Sequence, residues 1–212
     1  MKFQIALDRL TRDECFEILN ETASSIDWIE VGTGVIKQYG MTIVREIKEA
    51  YPNKVLVADM KTCDAGKHEA IQAFEAGADI TTVMAFSANK TIADTLEVAK
   101  HYGKRIMIDL LGVTDPNRLV ELQKLDVDLV SLHYGKDMQQ EGEMGADLFS
   151  LTQGLTGMEV AIAGGISRDS LPGLLEKRLD IFIIGSAVTK ADNPRKAASE
   201  MKEVVKQYEI NH

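Results

Sequence analysis

The chain has 212 residues, of which 45% are hydrophobic, so it can bury one sizeable core but is short for two. Its formal net charge of -9 argues against a nucleic-acid binder, because such proteins usually carry a basic face. No stretch approaches the roughly 20 apolar residues of a membrane span, no signal peptide is evident, and Cys15 and Cys63 predict free thiols, so we expect a soluble cytoplasmic protein.

Short apolar runs alternate with helical patterns along the whole chain. The clearest helical patterns cover residues 12–25, 65–78 and 193–208, and the last begins with Asn193 as N-cap and Pro194 at the first helical position. Strands that alternate with helices predict βαβ units and a parallel sheet. The predicted strands cover residues 3–7, 28–32, 54–59, 79–85, 105–111, 128–133, 159–165 and 181–186.

Eight such units in a chain of this length predict a single-domain (β/α)8 TIM barrel over residues 1–212, with a doubly wound open sheet as the alternative. A barrel collects its chemistry at the carboxyl ends of the strands. Nearly every predicted strand ends in a polar, titratable or glycine position, which favours an active site there. These positions are Asp8, Glu30, Asp59 with Lys61, Asp109, His133, Gly164 with Gly165, and Gly185 with Ser186.

The segment ADMKTCDAG, residues 58–66, places two acids and an amine at the end of a predicted buried strand. Asp59 and Lys61 are two residues apart, so an extended strand would aim both side chains the same way. A lysine flanked by acids stays protonated and can stabilise a developing oxyanion. The alternatives are a salt bridge at the rim of the barrel for this pair, and a helix N-cap for Asp64.

Glu30 and Asp59 sit towards the carboxyl ends of neighbouring predicted strands, where two carboxylates would repel each other. Either one of them is protonated or a cation lies between them, and an oxygen-only site with open positions suits Mg²⁺. The alternative is that Glu30 pairs with a lysine. His133 predicts a general acid or base at its strand end, or else a structural histidine with its hydrogen bonds satisfied.

Glycine turns follow the last two predicted strands, in AIAGGIS and FIIGSAV. In a barrel these two loops commonly bind a phosphate through backbone N–H groups, although a glycine also serves any left-handed turn. The segments QIALD, IEVGT, ADMKTCDAG, AGADITTV, LHYGKD, AIAGGI and IIGSAV, in this order, resemble the orotidine monophosphate decarboxylase suprafamily over almost the whole chain. Within it the sequence is most similar to the 3-hexulose-6-phosphate synthase family.

That resemblance implies a Mg²⁺-dependent aldol condensation of formaldehyde with D-ribulose 5-phosphate, reversible and through an enediolate, on a homodimer of (β/α)8 barrels. Glu30 and Asp59 would hold the metal, Lys61 would stabilise the enediolate, His133 would shuttle protons, and Asp64 would reach into the neighbouring subunit's site. Substrate hydroxyls and the phosphate would contact the remaining positions, which are Asp8, Asp109, Lys136, Gly164, Gly165, Gly185 and Ser186.

The nearest rival within the suprafamily is the 3-keto-L-gulonate-6-phosphate decarboxylase family. Its members tend to carry Glu at the position of Asp109 and Arg at the positions of Lys136 and Ser186, so these three positions and Thr62 favour the synthase. A non-catalytic barrel that binds a phosphosugar is the third possibility. So many titratable groups at one rim argue against it.

Overall fold

The fold is that of a computed structural model, which describes residues 1–140, 142, 144–153 and 156–211. In this part of the chain, parallel strands β1 to β8 close into a barrel in sequence order. The predicted barrel is confirmed, and the open sheet is wrong because β1 pairs with β8. The strands are β1 Lys2–Leu7, β2 Trp28–Val31, β3 Val55–Thr62, β4 Ile80–Met84, β5 Arg105–Asp109, β6 Leu129–His133, β7 Glu159–Ala163 and β8 Ile181–Ile184.

Helices follow the strands around the outside of the barrel. The last one begins at Pro194 as predicted, and the side chain of Asn193 accepts a hydrogen bond from the Lys196 backbone N–H at 2.9 Å. No helix within the described residues is long and apolar enough to cross a membrane. The helices are α1 Arg12–Thr22, α2 Thr33–Tyr39, α3 Met41–Ala50, α4 Gly66–Glu75, α5 Asn89–Tyr102, α6 Asn117–Lys124, α7 Ala146–Ser150, α8 Leu171–Leu175, α9 Ser186–Thr189 and α10 Pro194–Asn211, with a short 3-10 helix at Met138–Gln140.

The hydrophobic core has an outer layer between strands and helices and an inner layer inside the barrel. Successive side chains of a strand point to opposite faces, so β2 places Ile29 and Val31 in the outer layer and Trp28 in the inner one. Glu30, two residues after Trp28, therefore also faces the barrel interior. The inner layer consists of Trp28, Val57, Ile80, Met107, Leu129, Ala161, Ala163, Ile181 and Ile183.

Candidate active site

A cavity of about 460 Å³ opens at the carboxyl end of the barrel, which is within the range of ligand sites. Strand side chains form its floor and the βα loops form its rim. Asp64 is exposed and is not among the described residues that line it. The sequence-predicted residues that do line it are Asp8, Glu30, Asp59, Lys61, Asp109, His133, Lys136, Gly164, Gly165, Gly185 and Ser186.

The carboxyl end of β3 leaves the regular ladder and forms a bulge against β4. Three β3 residues, 59–61, lie opposite the single β4 residue Thr82. Lys61 has a φ of +48°, a left-handed conformation that costs a non-glycine residue about 1–2 kcal/mol. Bulges re-aim side chains, and this one brings the Lys61 amine to the Asp59 carboxylate. The prediction that the Asp59 and Lys61 side chains lie together is therefore correct. The reason given for it was wrong, because the bulge brings them together and not the alternation of side chains along a regular strand.

The Lys61 amine lies between two buried carboxylates. Its Nζ is 2.7 Å from Asp109 Oδ2 and 3.1 Å from Asp59 Oδ2. Burial by itself would lower the pKa of Lys61, but the charges of Asp59 and Asp109 outweigh it and raise that pKa. Lys61 is thus a fixed cation at the floor of the cavity. The salt bridge considered for Asp59 and Lys61 does form, and it lies inside the cavity with a third partner.

Asp109 joins the lysine to the histidine. The Nδ1 atom of His133 is 2.9 Å from Asp109 Oδ2, and the Leu111 backbone N–H donates to Oδ1 at 2.9 Å. Burial favours the neutral acid, but His133 and Lys61 outweigh it and lower the pKa of Asp109 to about 2. These contacts favour a role in holding His133 and Lys61. The binding of a substrate hydroxyl by Asp109 stays a prediction.

Glu30 is buried beside Asp59 without a lysine bonded to it in the described part of the chain. The Gln4 side-chain amide donates to Glu30 Oε2, so the predicted alternative of a Glu30–lysine pair is wrong. Burial and the nearby charge of Asp59 raise the pKa of Glu30 to about 8. Burial first and the charge of Asp59 second therefore favour the protonated form of Glu30 at neutral pH.

The donor set fits a hard divalent cation. Asp59 and Asp109 share the Lys61 amine, and Glu30 is buried beside them, so ionisation of Glu30 would add a negative charge that a bound cation would balance. No group of three or more Asp, Glu, His or Cys side chains in the described residues forms a complete metal site. Mg²⁺ usually takes only one or two protein carboxylates plus water and substrate oxygens, so Glu30 and Asp59 are sufficient.

Two glycine turns, after β7 and after β8, also line the cavity. Gly164 and Gly165 have φ values of +113° and +65°, and a Cβ on Gly164 would lie 2.1 Å from the Tyr134 carbonyl oxygen. No larger residue fits at that position without moving the backbone. These positive φ values end β7 at Ala163, before the predicted boundary at residue 165.

Two further predicted residues lie at the rim. Asp8 accepts a hydrogen bond from the Gly34 backbone N–H at 3.1 Å, which ties the loop after β1 to the start of α2. The Lys136 amine is 3.4 Å from the side-chain oxygen of Gln139.

No described side chain caps the start of α4, so the N-cap alternative for Asp64 is wrong.

Sequence reasoning missed four side chains that shape the site. The hydroxyls of Thr33 and Thr82 donate to the two oxygens of Asp59 at 2.8 and 2.7 Å. Gln4 holds Glu30, and Lys190 lies at the cavity wall after α9. A polar residue at an inward position of an apolar strand, as in FQIAL and DITTV, is a signal that could have found Gln4 and Thr82.

Comparison with known proteins places this architecture in a family. The family model described as orotidine 5'-phosphate decarboxylase / HUMPS family matches residues 1–201. The chain belongs to this family.

Its relatives cover it from end to end. It is 38% identical over 209 residues to the 3-hexulose-6-phosphate synthase of Bacillus subtilis, a match that covers 98% of this chain and 100% of that protein. The crystal structure of 3-hexulose-6-phosphate synthase from Salmonella typhimurium matches with a TM-score of 0.95 and 34% identity, over 98% of this chain and 100% of that one. The structure of 3-keto-L-gulonate-6-phosphate decarboxylase from Vibrio cholerae matches with a TM-score of 0.85 and 30% identity, over 98% of both chains.

Proposed function

We propose that this protein is an aldolase-type lyase that condenses formaldehyde with D-ribulose 5-phosphate to D-arabino-3-hexulose 6-phosphate, reversibly. The observation that carries the proposal is the Lys61 amine held at 2.7 Å from Asp109 and 3.1 Å from Asp59 at the floor of the cavity. A fixed cation there matches the oxyanion that forms when a proton is removed next to a carbonyl group. The full-length similarity to proteins named 3-hexulose-6-phosphate synthase supports this reaction.

In the proposed reaction His133 transfers the proton and Lys61 stabilises the negative charge. Because Nδ1 of His133 is bonded to Asp109, Nε2 is the nitrogen that would take the proton from C1 of the pentulose. The electron pair of that C–H bond forms the enediolate, whose oxygen charge Lys61 stabilises. C1 then forms the new bond to the formaldehyde carbon, the C2 carbonyl group re-forms, and His133 returns its proton to the formaldehyde oxygen.

Glu30 and Asp59 would hold a divalent metal, and we propose Mg²⁺. The ion would supply Lewis-acid polarisation of the substrate oxygens. The hydroxyls of Thr33 and Thr82 hydrogen-bond to the two carboxylate oxygens of Asp59. These contacts fix the plane of the carboxylate that would bind the metal. The amide of Gln4 does the same for Glu30.

The glycine turns would bind the substrate phosphate. Gly164, Gly165, Gly185, Ser186 and Lys190 all line the cavity, and their backbone N–H groups, hydroxyl and amine would supply donors to an anion. Asp8 and Lys136 at the rim would contact the sugar chain. A homodimer in which Asp64 enters the partner's site is also part of the proposal, and the exposure of Asp64 is compatible with it.

The alternative activity is decarboxylation of 3-keto-L-gulonate 6-phosphate, since the decarboxylase from Vibrio cholerae has the same fold at 30% identity. The test is to incubate the protein with Mg²⁺, ribulose 5-phosphate and formaldehyde and to follow the loss of formaldehyde. We expect rapid loss that is abolished by a chelator and by Lys61→Ala. Release of CO₂ from 3-keto-L-gulonate 6-phosphate without formaldehyde loss would establish the decarboxylase. Phosphosugar binding without turnover would establish a binding protein.

A further inference from the structure

We infer that Thr82 is a positioning residue that holds Asp59 and Lys61 in register with each other through one hydroxyl group. The Thr82 oxygen accepts a hydrogen bond from the Lys61 backbone N–H at 2.9 Å. The same hydroxyl donates to Asp59 Oδ1 at 2.7 Å. The inference rests on the proposed function only in assuming that Asp59 and Lys61 act on substrate.

The directions of these two hydrogen bonds are fixed by chemistry. A backbone N–H can only donate, so the Thr82 oxygen must accept from Lys61, and its single hydrogen is left for Asp59. Thr82 is buried, as is its hydrogen bond to Asp59, whereas its hydrogen bond to Lys61 is partly buried. Loss of the hydroxyl would take away the hydrogen-bond partner of the partly buried Lys61 N–H, and backbone N–H groups away from bulk water are rarely left unpaired in proteins.

The position of Thr82 in the bulge explains why this one residue has both partners. It is the single β4 residue opposite the three β3 residues 59–61, so it spans the extra length of β3. Lys61 has a φ of +48°, which surrounding contacts must hold in place. When the hydroxyl is absent, we expect the bulge to relax and to shift the Lys61 amine relative to Asp59.

The neighbouring residue Thr81 provides a matched control. It is also buried in β4, and its hydroxyl also bonds to β3, but it donates to the Ala58 carbonyl oxygen at 3.1 Å and not to Asp59 or Lys61. Thr81→Val and Thr82→Val therefore remove the same group from adjacent positions of one strand. Only the second substitution removes the link between the two site residues.

The experiment compares Thr82→Val, Thr82→Ser and Thr81→Val in three assays. These are formaldehyde consumption with ribulose 5-phosphate, Mn²⁺ binding without substrate, and hydrogen exchange of the Lys61 amide. For Thr82→Val we expect kcat to fall roughly 10²-fold, because a shift of about 1 Å has that effect, while KM for ribulose 5-phosphate changes little. The Lys61 amide should exchange faster and Mn²⁺ should bind more weakly. Thr82→Ser should restore most of each property, and Thr81→Val should retain them.

Three results would overturn the inference: wild-type kcat and amide exchange in Thr82→Val, no recovery in Thr82→Ser, or equal losses in Thr81→Val. If Thr82→Val does not fold, Thr82→Ala removes the hydroxyl without placing a second methyl group beside Asp59. If the wild-type protein does not consume formaldehyde, the proposed function fails. Amide exchange and Mn²⁺ binding then still decide whether Thr82 holds the bulge.

Discussion

Both ends of the barrel carry carboxylates and amines, but the two ends differ in how many amines lie beside each carboxylate. At the amino end, Asp79 lies 2.7 Å from the Lys48 amine and 2.6 Å from the Lys104 amine, and it also accepts the Leu56 N–H at 2.9 Å. At the carboxyl end, Glu30, Asp59 and Asp109 surround the single amine of Lys61 within the described part of the chain.

The amino end uses its carboxylates to finish the sheet. An aspartate immediately before each of the strands β2, β4 and β8 accepts the backbone N–H of a residue in the neighbouring strand. These pairs are Asp27 with Phe3, Asp79 with Leu56, and Asp180 with Val160, each at 2.8 or 2.9 Å. Each carboxylate replaces a ladder hydrogen bond that the end of a strand would otherwise lack.

The difference is visible in the pKa values of Asp79 and Glu30, whereas Asp109 at the carboxyl end, which is paired with His133 and Lys61, has a lowered pKa as Asp79 does. Burial raises the pKa of Asp79, but Lys104, Lys48 and the Leu56 N–H outweigh it and lower the pKa overall. Burial and Asp59 raise the pKa of Glu30 to about 8. Asp79, which stabilises the fold, therefore lies beside two cations of its own, Lys48 and Lys104. Ionisation of Glu30, by contrast, is disfavoured in the fold, and a cation bound beside it would offset this cost.

The largest contrast is expected from replacing one lysine at each end with methionine. Lys61→Met removes the fixed cation from the cavity and should lower kcat by about 10²–10³-fold, as the loss of one preorganised group does. Lys48→Met at the amino end should leave kcat unchanged, because Asp79 keeps Lys104 there. Steady-state formaldehyde consumption measures both.

The same pair of variants separates catalysis from folding. Lys48→Met should cost about 1 kcal/mol of unfolding free energy, as expected for one of several partners at a half-buried site. Urea unfolding checks this value. If Lys48→Met lowered kcat as much as Lys61→Met, the functional division between the two ends would be wrong.

Glycines with positive φ at the two ends should differ next. Gly164→Ala places a Cβ 2.1 Å from the Tyr134 carbonyl oxygen, so the backbone of the glycine turn must move and phosphate affinity should fall with stability. Gly103→Ala, before β5 at the amino end, has a φ of +65° and no described atom within 4 Å of the added Cβ. It should cost only about 1–2 kcal/mol for the left-handed backbone.

Urea unfolding and titration with inorganic phosphate test this pair. Retention of phosphate binding in Gly164→Ala would show that the glycine turn does not hold the phosphate. Loss of binding in both variants would indicate a general effect of destabilisation instead.

The sequence was sufficient for the carboxyl end wherever a residue directly ends an apolar run. Asp59 and His133 are of this kind, and Glu30 lies one residue before the end of its strand. A closed parallel barrel brings all strand ends to one rim whatever their spacing in the chain. It was not sufficient for the bulge at Thr82, since pairing between strands depends on tertiary contacts that no local pattern encodes. Lys190 was missed because a four-residue helix such as α9 has no periodic signal.

The amino end shows a second limit of sequence reasoning. An aspartate before an apolar run, as at Asp27 or Asp79, indicates a turn just as well as a partner for a neighbouring strand. Only the closed barrel shows that Asp79 lies beside Lys48 and Lys104, which are distant from each other in sequence.

Replacing Glu30 with neutral Gln should raise stability without a divalent metal, and adding the metal should reverse this difference. With a chelator present, Glu30→Gln should be more stable than the wild type at pH 8, and the difference should shrink towards pH 5. The reason is that the folded wild type holds a proton on Glu30 up to about pH 8, whereas the unfolded chain loses it near pH 4.3. Wild-type stability therefore falls as pH rises through this window.

Addition of Mg²⁺ should then stabilise the wild type by about 2.7 kcal/mol at 100 times Kd, and Glu30→Gln by less. Thermal unfolding with and without Mg²⁺ measures both differences. An equal gain in both proteins would place the metal away from Glu30.

The last effect is a loss of stability in acid that originates at the amino end. Lys104 and Lys48 hold the folded pKa of Asp79 below its unfolded value, which is near 3.9, so the unfolded chain takes up the proton first as pH falls. The stability that ionised Asp79 contributes is present above that value and is lost as pH falls through the folded pKa. Asp79→Asn should remove this dependence, with a cost of roughly 1–2 kcal/mol at pH 7 and less towards pH 3.

Urea unfolding of the wild type and of Asp79→Asn between pH 7 and pH 3 tests this prediction. Parallel curves for the two proteins would mean that Asp79 titrates alike in the folded and unfolded states, and that the lysines at this end do not balance its charge.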